Sequence, residues 1–266
     1  MATIDDDRGL GLVTGPRAMD IAIAKARDTG MGSVTVTNGR HFGAAAYHAH
    51  RAIDHGVIGV AMTIGELQVV RTFGAKPMVG LNPISVAVTG GDEAPFVFDA
   101  SMSSVAGNKI RIAKRLGATV APGWITDQDG NPILVESEVP DKFFMLPTGG
   151  TRDGGSHKGY GLAVIVGILA GSPPGFLRPP GDVSHHFAAY RIDAFAEPGQ
   201  YTEHMQTILR GLRETPPAEG HERVLYAGLA EHETEIDRRA NGIPYHPDVV
   251  AYFRDLAQEL GTDSAL

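Results

Sequence analysis

Apolar and polar positions change period along this chain, and its beginning shows the change best. Over residues 16–29, Met19, Ile21, Ile23 and Ala26 give an imperfect apolar face at helical spacing. Pro16 suits a first helical turn, and Gly30 and Gly32 supply a stop. The run Ser33-Val34-Thr35-Val36-Thr37 is β-branched and predicts a strand. Residues 42–55 are alanine-rich and predict a helix closed by Gly56; residues 57–63 read as a second, buried strand. Helix, strand, helix and strand in succession predict α/β layering.

The middle of the chain is patterned differently. Residues 84–88 and 96–98 are short strands on either side of Gly90-Gly91, which predicts a hairpin. Residues 103–116 look helical with Ser103 as N-cap, residues 121–132 are rich in turn signals, and residues 148–157 form a glycine-rich loop. Residues 160–170 are almost uniformly apolar, which predicts a buried helix. A Pro/Gly connector over residues 171–181 precedes a strand at 185–192. An amphipathic helix at 201–213 carries Met205, Ile208, Leu209 and Leu212 as its stripe; a charged helix at 231–240 and a last helix at 247–260, ended by Gly261, complete the chain. Hairpin and layered segments together argue against a purely parallel sheet.

Composition narrows the class. The chain has 266 residues, 42% hydrophobic and 20% charged, which is ordinary for a globular protein with a sizeable core. It is read as a single compact unit over residues 1–266. The formal net charge of -8 argues against an electrostatic nucleic-acid binder, although a locally basic site for an anionic ligand remains compatible with it. Without cysteine, disulfides and thiolate metal sites are impossible. No apolar run approaches the roughly 20 residues that span a bilayer. The acidic stretch Met1 to Gly9 lacks the apolar core of a signal peptide. A cytoplasmic protein without membrane attachment is the expectation.

Three segments hold candidate chemistry. Asn38-Gly39-Arg40-His41-Phe42-Gly43 follows one predicted strand and opens a helix, the place where α/β proteins present ligand-binding groups. An imidazole there can pass a proton near neutral pH, and the adjacent Arg40 can hold an anionic substrate. A lone His at a helix start is more often structural, so His41 draws its interest from the other two segments. His48 and His55 are seven apart and share the face of one predicted helix, but no metal-binding pattern such as HExxH is present. In Asp99-Ala100-Ser101-Met102-Ser103-Ser104, an Asp at a strand end can accept from ribose hydroxyls, while serines before a helix can cap it or contact phosphate. Capping alone explains this segment equally well. In Lys158-Gly159-Tyr160-Gly161, a Lys at a helix start opposes the macrodipole, which makes sense if its ammonium meets a phosphate or carboxylate. Neither a Walker A loop nor a Rossmann G-x-G-x-x-G is present.

In this order the segments resemble the type-2 malate/L-lactate dehydrogenase family, also called L-sulfolactate dehydrogenase-like, which takes in ureidoglycolate dehydrogenase, diketogulonate reductase and piperideine-carboxylate reductases. Asn38 to Gly43 matches its Asn-x-x-His-Phe-Gly, and Gly80-Leu81-Asn82-Pro83-Ile84 its Gly-x-Asn-Pro-Ile. Asp99 to Ser103, Asn108-Lys109, Pro122-Gly123-Trp124 with Asp127 and Gly130, and Lys158 to Gly161 extend the likeness from about Gly9 to Gly261. The resemblance implies a non-Rossmann NAD(P)-binding α/β fold, a mixed and largely antiparallel sheet flanked by helices. It implies NAD or NADP as cofactor, and a small 2-oxo acid, 2-hydroxy acid or cyclic imine as substrate. It makes His41 the acid/base and Arg40 a substrate contact. Gly65, Asp99, Ala100, Ser101 and Lys158 fall on cofactor-contacting positions, with residues 60–160 as the cofactor-binding lobe. A homodimer is expected by the same analogy.

The family's usual opening, a helical segment with an Arg…Ser-His-Gly motif, has no counterpart in this sequence, and the stretch from Ala170 to His185 looks short. The alternative expectations are a partner chain that supplies the missing segment, or a non-catalytic homologue that binds nucleotide only.

Overall fold

The computed structural model describes residues 1–170 and 183–263. The predicted connector at 171–181 lies outside the described residues. Where the sequence reads as one unit, contacts divide the chain into Met1–Gly228 and Leu229–Leu266. The second unit holds two helices, α6 (Leu229–Asn241) and α7 (Pro247–Leu260). Both are largely polar or solvent-exposed; α6 buries Leu229 alone and α7 buries none of its residues.

Everything that bears on the site belongs to the first unit. Its elements, in chain order, begin with β1 (Ala2–Asp5), α1 (Gly11–Thr29), β2 (Met31–Gly39), α2 (Ala45–His50) and β3 (Val57–Thr63). Then come β4 (Val69–Val70), β5 (Pro77–Val79), β6 (Ile84–Val88), β7 (Phe96–Ala100) and α3 (Gly107–Leu116). The last are β8 (Ile125–Thr126), β9 (Phe144–Met145), α4 (Ser156–Leu169), β10 (Val183–Arg191) and α5 (Pro198–Arg213). Six strands make the main sheet in the order β1-β2-β10-β3-β6-β7. Only β1 and β2 pair in parallel; the other neighbours are antiparallel. This is the mixed, largely antiparallel α/β sheet that the resemblance implies. The predicted hairpin of β6 and β7 is present, with Val86 opposite Phe98. A small four-stranded sheet, β5-β4-β9-β8, packs with α3 around Val69, Ile110, Ile125 and Met145.

One face of the main sheet is closed by α1 and α2 over a core of Met19, Ile23, Val34, Val36, Phe42 and Phe187. The other carries α4 over Val60, Met62, Val166 and Ala188. Helix α4 departs from its expected burial. Ala163 and Val166 are buried, whereas Leu162, Ile165, Ile168 and Leu169 are each about half exposed. An apolar side of this helix is thus left exposed among the described residues.

Several helix starts differ from the sequence reading, that of α1 for a packing reason. Helix α1 begins at Gly11, so Pro16 lies inside it. Its first turns contain glycine because rings press on them. A Cβ at Gly11 would stand 2.6 Å from Phe42 Cβ, and one at Gly15 2.5 Å from His48 Cε1. Low helix propensity hides that stretch from a pattern search. The predicted helix at 42–55 breaks into α2 and a 3-10 turn, Ile53–His55. His48 is accordingly buried while His55 is exposed on a separate turn, bonded to Arg27, and the two share no helix face. Ser103 is not an N-cap. Its hydroxyl donates to the Val105 carbonyl at 2.7 Å, and α3 starts after Ala106. On α5, Leu209 alone of the expected stripe is buried, and Ile208 and Leu212 face solvent.

Candidate active site

Strand direction decides where the candidate residues meet. Strand β10 is antiparallel to both β2 and β3, so β2 and β3 run the same way. Strand β6 is antiparallel to β3 and β7, so β7 runs with them too. The carboxyl ends of β2, β3 and β7 therefore open on one edge of the sheet. His41 follows β2, Gly65 follows β3, and Asp99-Ala100-Ser101 ends β7. In the strand order, β7 lies four places from β2, or about 19 Å at about 4.8 Å per strand. A ligand touching both ends has to be elongated.

The bonds across this edge tie the segments into one chain of contacts. The Ala46 N–H, in the first turn of α2, donates to Asp99 Oδ2 at 2.7 Å, which joins the β7 end to the helix after His41. The loss of hydration around Asp99 raises its pKa, and the Ala46 N–H opposes that rise. Ser101 Oγ lies 3.0 Å from Ser103 Oγ, and its carbonyl accepts from Thr148 Oγ1 at 3.5 Å. Thr148 packs tightly on Gly159: a Cβ there would stand 2.1 Å from the Thr148 carbonyl oxygen. Lys158, beside it, is solvent-exposed in the first turn of α4. At Gly65 the N–H donates to Asn82 Oδ1 at 3.3 Å, while Asn82 Nδ2 donates to the Ala163 carbonyl of α4 at 2.8 Å.

The two motif asparagines share a backbone role. Asn38 and Asn82 have φ of 55° and 40°, in the left-handed region that Asn tolerates better than most residues. Each turns the chain sharply at this edge.

His41 is exposed, and its Nδ1 accepts from the Gly43 N–H at 3.0 Å. That contact assigns the neutral ring its proton on Nε2, which is then the atom offered outward. Phe42 is fully buried and lies between two imidazoles. His48 and His185 stack on it with ring centroids 4.7 Å away on each side. His185 is wholly buried, and its pKa is pushed down to about 4, first by burial. His48 is lowered for the same main reason. From the sequence, His48 stands only as a metal candidate and His185 is assigned no role. The signal that marks them is their position facing Phe42, visible only once β10 is placed beside β2. Among the described residues no group of three or more His, Cys, Asp or Glu is placed to hold a metal ion. A concavity of about 560 Å3, lined by Gln128, Asp129, Asp141, Lys142, Phe143 and Phe144, lies on the small-sheet region and contains none of the candidate residues.

A mixed, largely antiparallel sheet that opens the ends of β2, β3 and β7 on one edge, with His41 after the first and Asp99 on the last and without a Rossmann fingerprint, is a non-Rossmann α/β scaffold. The chain belongs to the malate/L-lactate dehydrogenase family, whose model matches residues 1–254. It is 32% identical to a malate dehydrogenase of Pyrococcus horikoshii over 98% of this chain and 75% of that protein. It is 28% identical to a (2R)-3-sulfolactate dehydrogenase (NADP(+)) of Chromohalobacter salexigens over 79% of this chain and 64% of that protein. Its fold matches the crystal structure of malate dehydrogenase from Entamoeba histolytica with a TM-score of 0.89 at 29% identity, covering 100% of this chain and 79% of that one. The family is one of NAD(P)-dependent 2-hydroxy-acid dehydrogenases and imine reductases. Among the described residues no helix is long and apolar enough to cross a membrane.

Proposed function

We propose that this chain reduces a small 2-oxo acid or cyclic imine with NADH or NADPH, or oxidises the corresponding 2-hydroxy acid, with His41 as the acid/base. The observation that carries the reading is the shared edge: the ends of β2, β3 and β7 open together, with His41 exposed at one end. The residues present suit a dinucleotide. Helix α4 has no acidic residue in its first turn, its N-cap is Gly155 without a side-chain cap, and Lys158 stands exposed beside it. Such a helix start with a cation favours a phosphate. Asp99 Oδ2 is held by Ala46, which leaves Oδ1 for ribose hydroxyls. Gly65, Ala100 and Ser101 bring backbone to the same edge, so the cofactor lobe falls within residues 60–160.

A bound reduced nicotinamide supplies the hydride to the substrate carbon. His41 gives a proton from Nε2 to the carbonyl oxygen or imine nitrogen, and takes it back in the oxidative direction. For a ring that cycles through imidazolium, Nδ1 must carry a proton. The Gly43 contact therefore breaks on protonation. Arg40 holds the substrate carboxylate. The chain works as a homodimer, with the uncovered apolar side of α4 available to a second copy. The test is oxidation of NADH and NADPH in the presence of a panel of 2-oxo acids and cyclic imines. Turnover by wild type and its loss in His41→Ala are expected; equal rates in the two would reject the assignment.

A further inference from the structure

Two buried imidazoles hold the main chain on either side of His41. His185 Nε2 lies 3.0 Å from the Arg40 carbonyl oxygen, and His48 Nε2 lies 2.7 Å from the Phe42 carbonyl oxygen. A carbonyl only accepts, so both rings must carry a proton on Nε2. For His185 the other nitrogen is satisfied as well: Thr63 Oγ1 lies 2.7 Å from Nδ1 and donates to it in this tautomer. The carbonyls immediately before and after the candidate acid/base are thus each fixed by a wholly buried histidine. The Arg40 N–H donates to the Gly9 carbonyl at 2.9 Å, so the backbone of residue 40 is held at both of its polar groups.

The surroundings leave these bonds little slack. A Cβ at Gly11 would stand 2.7 Å from His185 Nε2 and 3.0 Å from the Arg40 oxygen; one at Gly39 would stand 3.2 Å from the same nitrogen. The pairing of β10 with β2 shifts register between Val183 and His185, opposite Gly39 and Val36. Irregularities of this kind re-aim the chain, and this one lies just before Arg40. Both rings also stack on the Phe42 side chain, which ties them to the residue after His41.

We infer that His185, seated by Thr63, and His48 are positioning residues for His41: by holding the Arg40 and Phe42 carbonyls they set the direction in which the His41 ring is presented to substrate. This rests on the reading of His41 as acid/base. Neither histidine touches substrate or cofactor.

The test compares His185→Leu and Thr63→Val with His185→Gln, whose amide N–H reaches the position of the imidazole donor. With His185→Leu, kcat is expected to fall about tenfold while the dissociation constant for NADH stays within about twofold, a split between binding and chemistry. His185→Gln restores most of kcat. A second readout does not depend on turnover. The Gly43 amide resonance, which reports its bond to His41 Nδ1, moves in His185→Leu and Thr63→Val and returns towards wild type in His185→Gln. An unmoved Gly43 resonance in folded His185→Leu overturns the inference. So does wild-type kcat in that variant while His41→Ala is inactive. If wild type and His41→Ala turn over equally, the catalytic reading fails by itself, and the inference, which depends on it, falls too. The Gly43 resonance then still shows whether the clamp on the main chain is real.

Discussion

The two segments that carry His41 and Lys158 are built by different means. Residues 38–43 are clamped: Arg40 and Phe42 are bonded through their carbonyls to buried rings, and Phe42 fills the core beneath His41. Residues 148–155 are a run of backbone turns that leads into α4 and Lys158. Gly149, Gly150 and Gly155 all have positive φ, and the Gly155 cap has no side-chain bond. Proton transfer needs a group held to a fraction of an ångström. A phosphate is bound by charge and by several N–H donors, which tolerate adjustment. The contrast is one of means: buried rings hold the segment that carries the imidazole, and close backbone packing holds the one that leads to the ammonium.

This contrast can be broken at several points. The largest expected effect is on chemistry: His41→Ala should lower kcat by about 10²–10⁴ with the fold intact, read by steady-state kinetics beside circular dichroism. Phe42→Ala should cost about 3–5 kcal/mol in denaturant unfolding, since it empties the space between two buried rings. An equal cost for a substitution in the glycine loop would erase the distinction. Lys158→Ala should weaken NADH binding about tenfold, roughly 1.4 kcal/mol, with little change in unfolding midpoint.

Acid should act through the clamp. The folded pKa of His185 lies below its ordinary value, at about 4, so the unfolded chain binds more protons between the two. Stability therefore falls as pH drops from about 6.5 towards about 4, by at most about 1.4 kcal/mol per pH unit for this group. His185→Gln should flatten that slope in urea titrations run across the range. The smallest effect is expected at the β7 end. Asp99→Asn keeps an oxygen to accept from Ala46 and removes a carboxylate whose charged form is disfavoured there. Its stability at pH 7 should stay within about 0.5 kcal/mol of wild type. A larger loss would show that the negative charge itself holds α2.

Much of the fold was legible because periodicity follows burial. Strand β3 and helix α7 lie where their patterns place them, and the β6–β7 hairpin is announced by its glycines. The misses have physical causes. Gly11 and Gly15 obey ring packing from Phe42 and His48, so the first turns of α1 carry no helical signature. Residues 160–170 are apolar all round, but apolarity does not say what covers a face, and part of α4 meets solvent in this chain. At the active edge, the sequence offered His41, Asp99 and Lys158 as separate short motifs. That His41 and Asp99 follow strands running the same way depends on β10 entering between β2 and β3, a long-range pairing with no local pattern to betray it. The roles of His48 and His185 were hidden for the same reason.

The co-directed ends of β2, β3 and β7 have a converse. The strands' other ends, including the turn before β3, lie at the opposite edge from the candidate residues His41, Gly65 and Asp99. Asp54 in that turn is exposed, and the chain contains no cysteine. A single thiol introduced there gives one attachment point for a dye or a surface, from which the enzyme can be held and watched while its reacting side stays open.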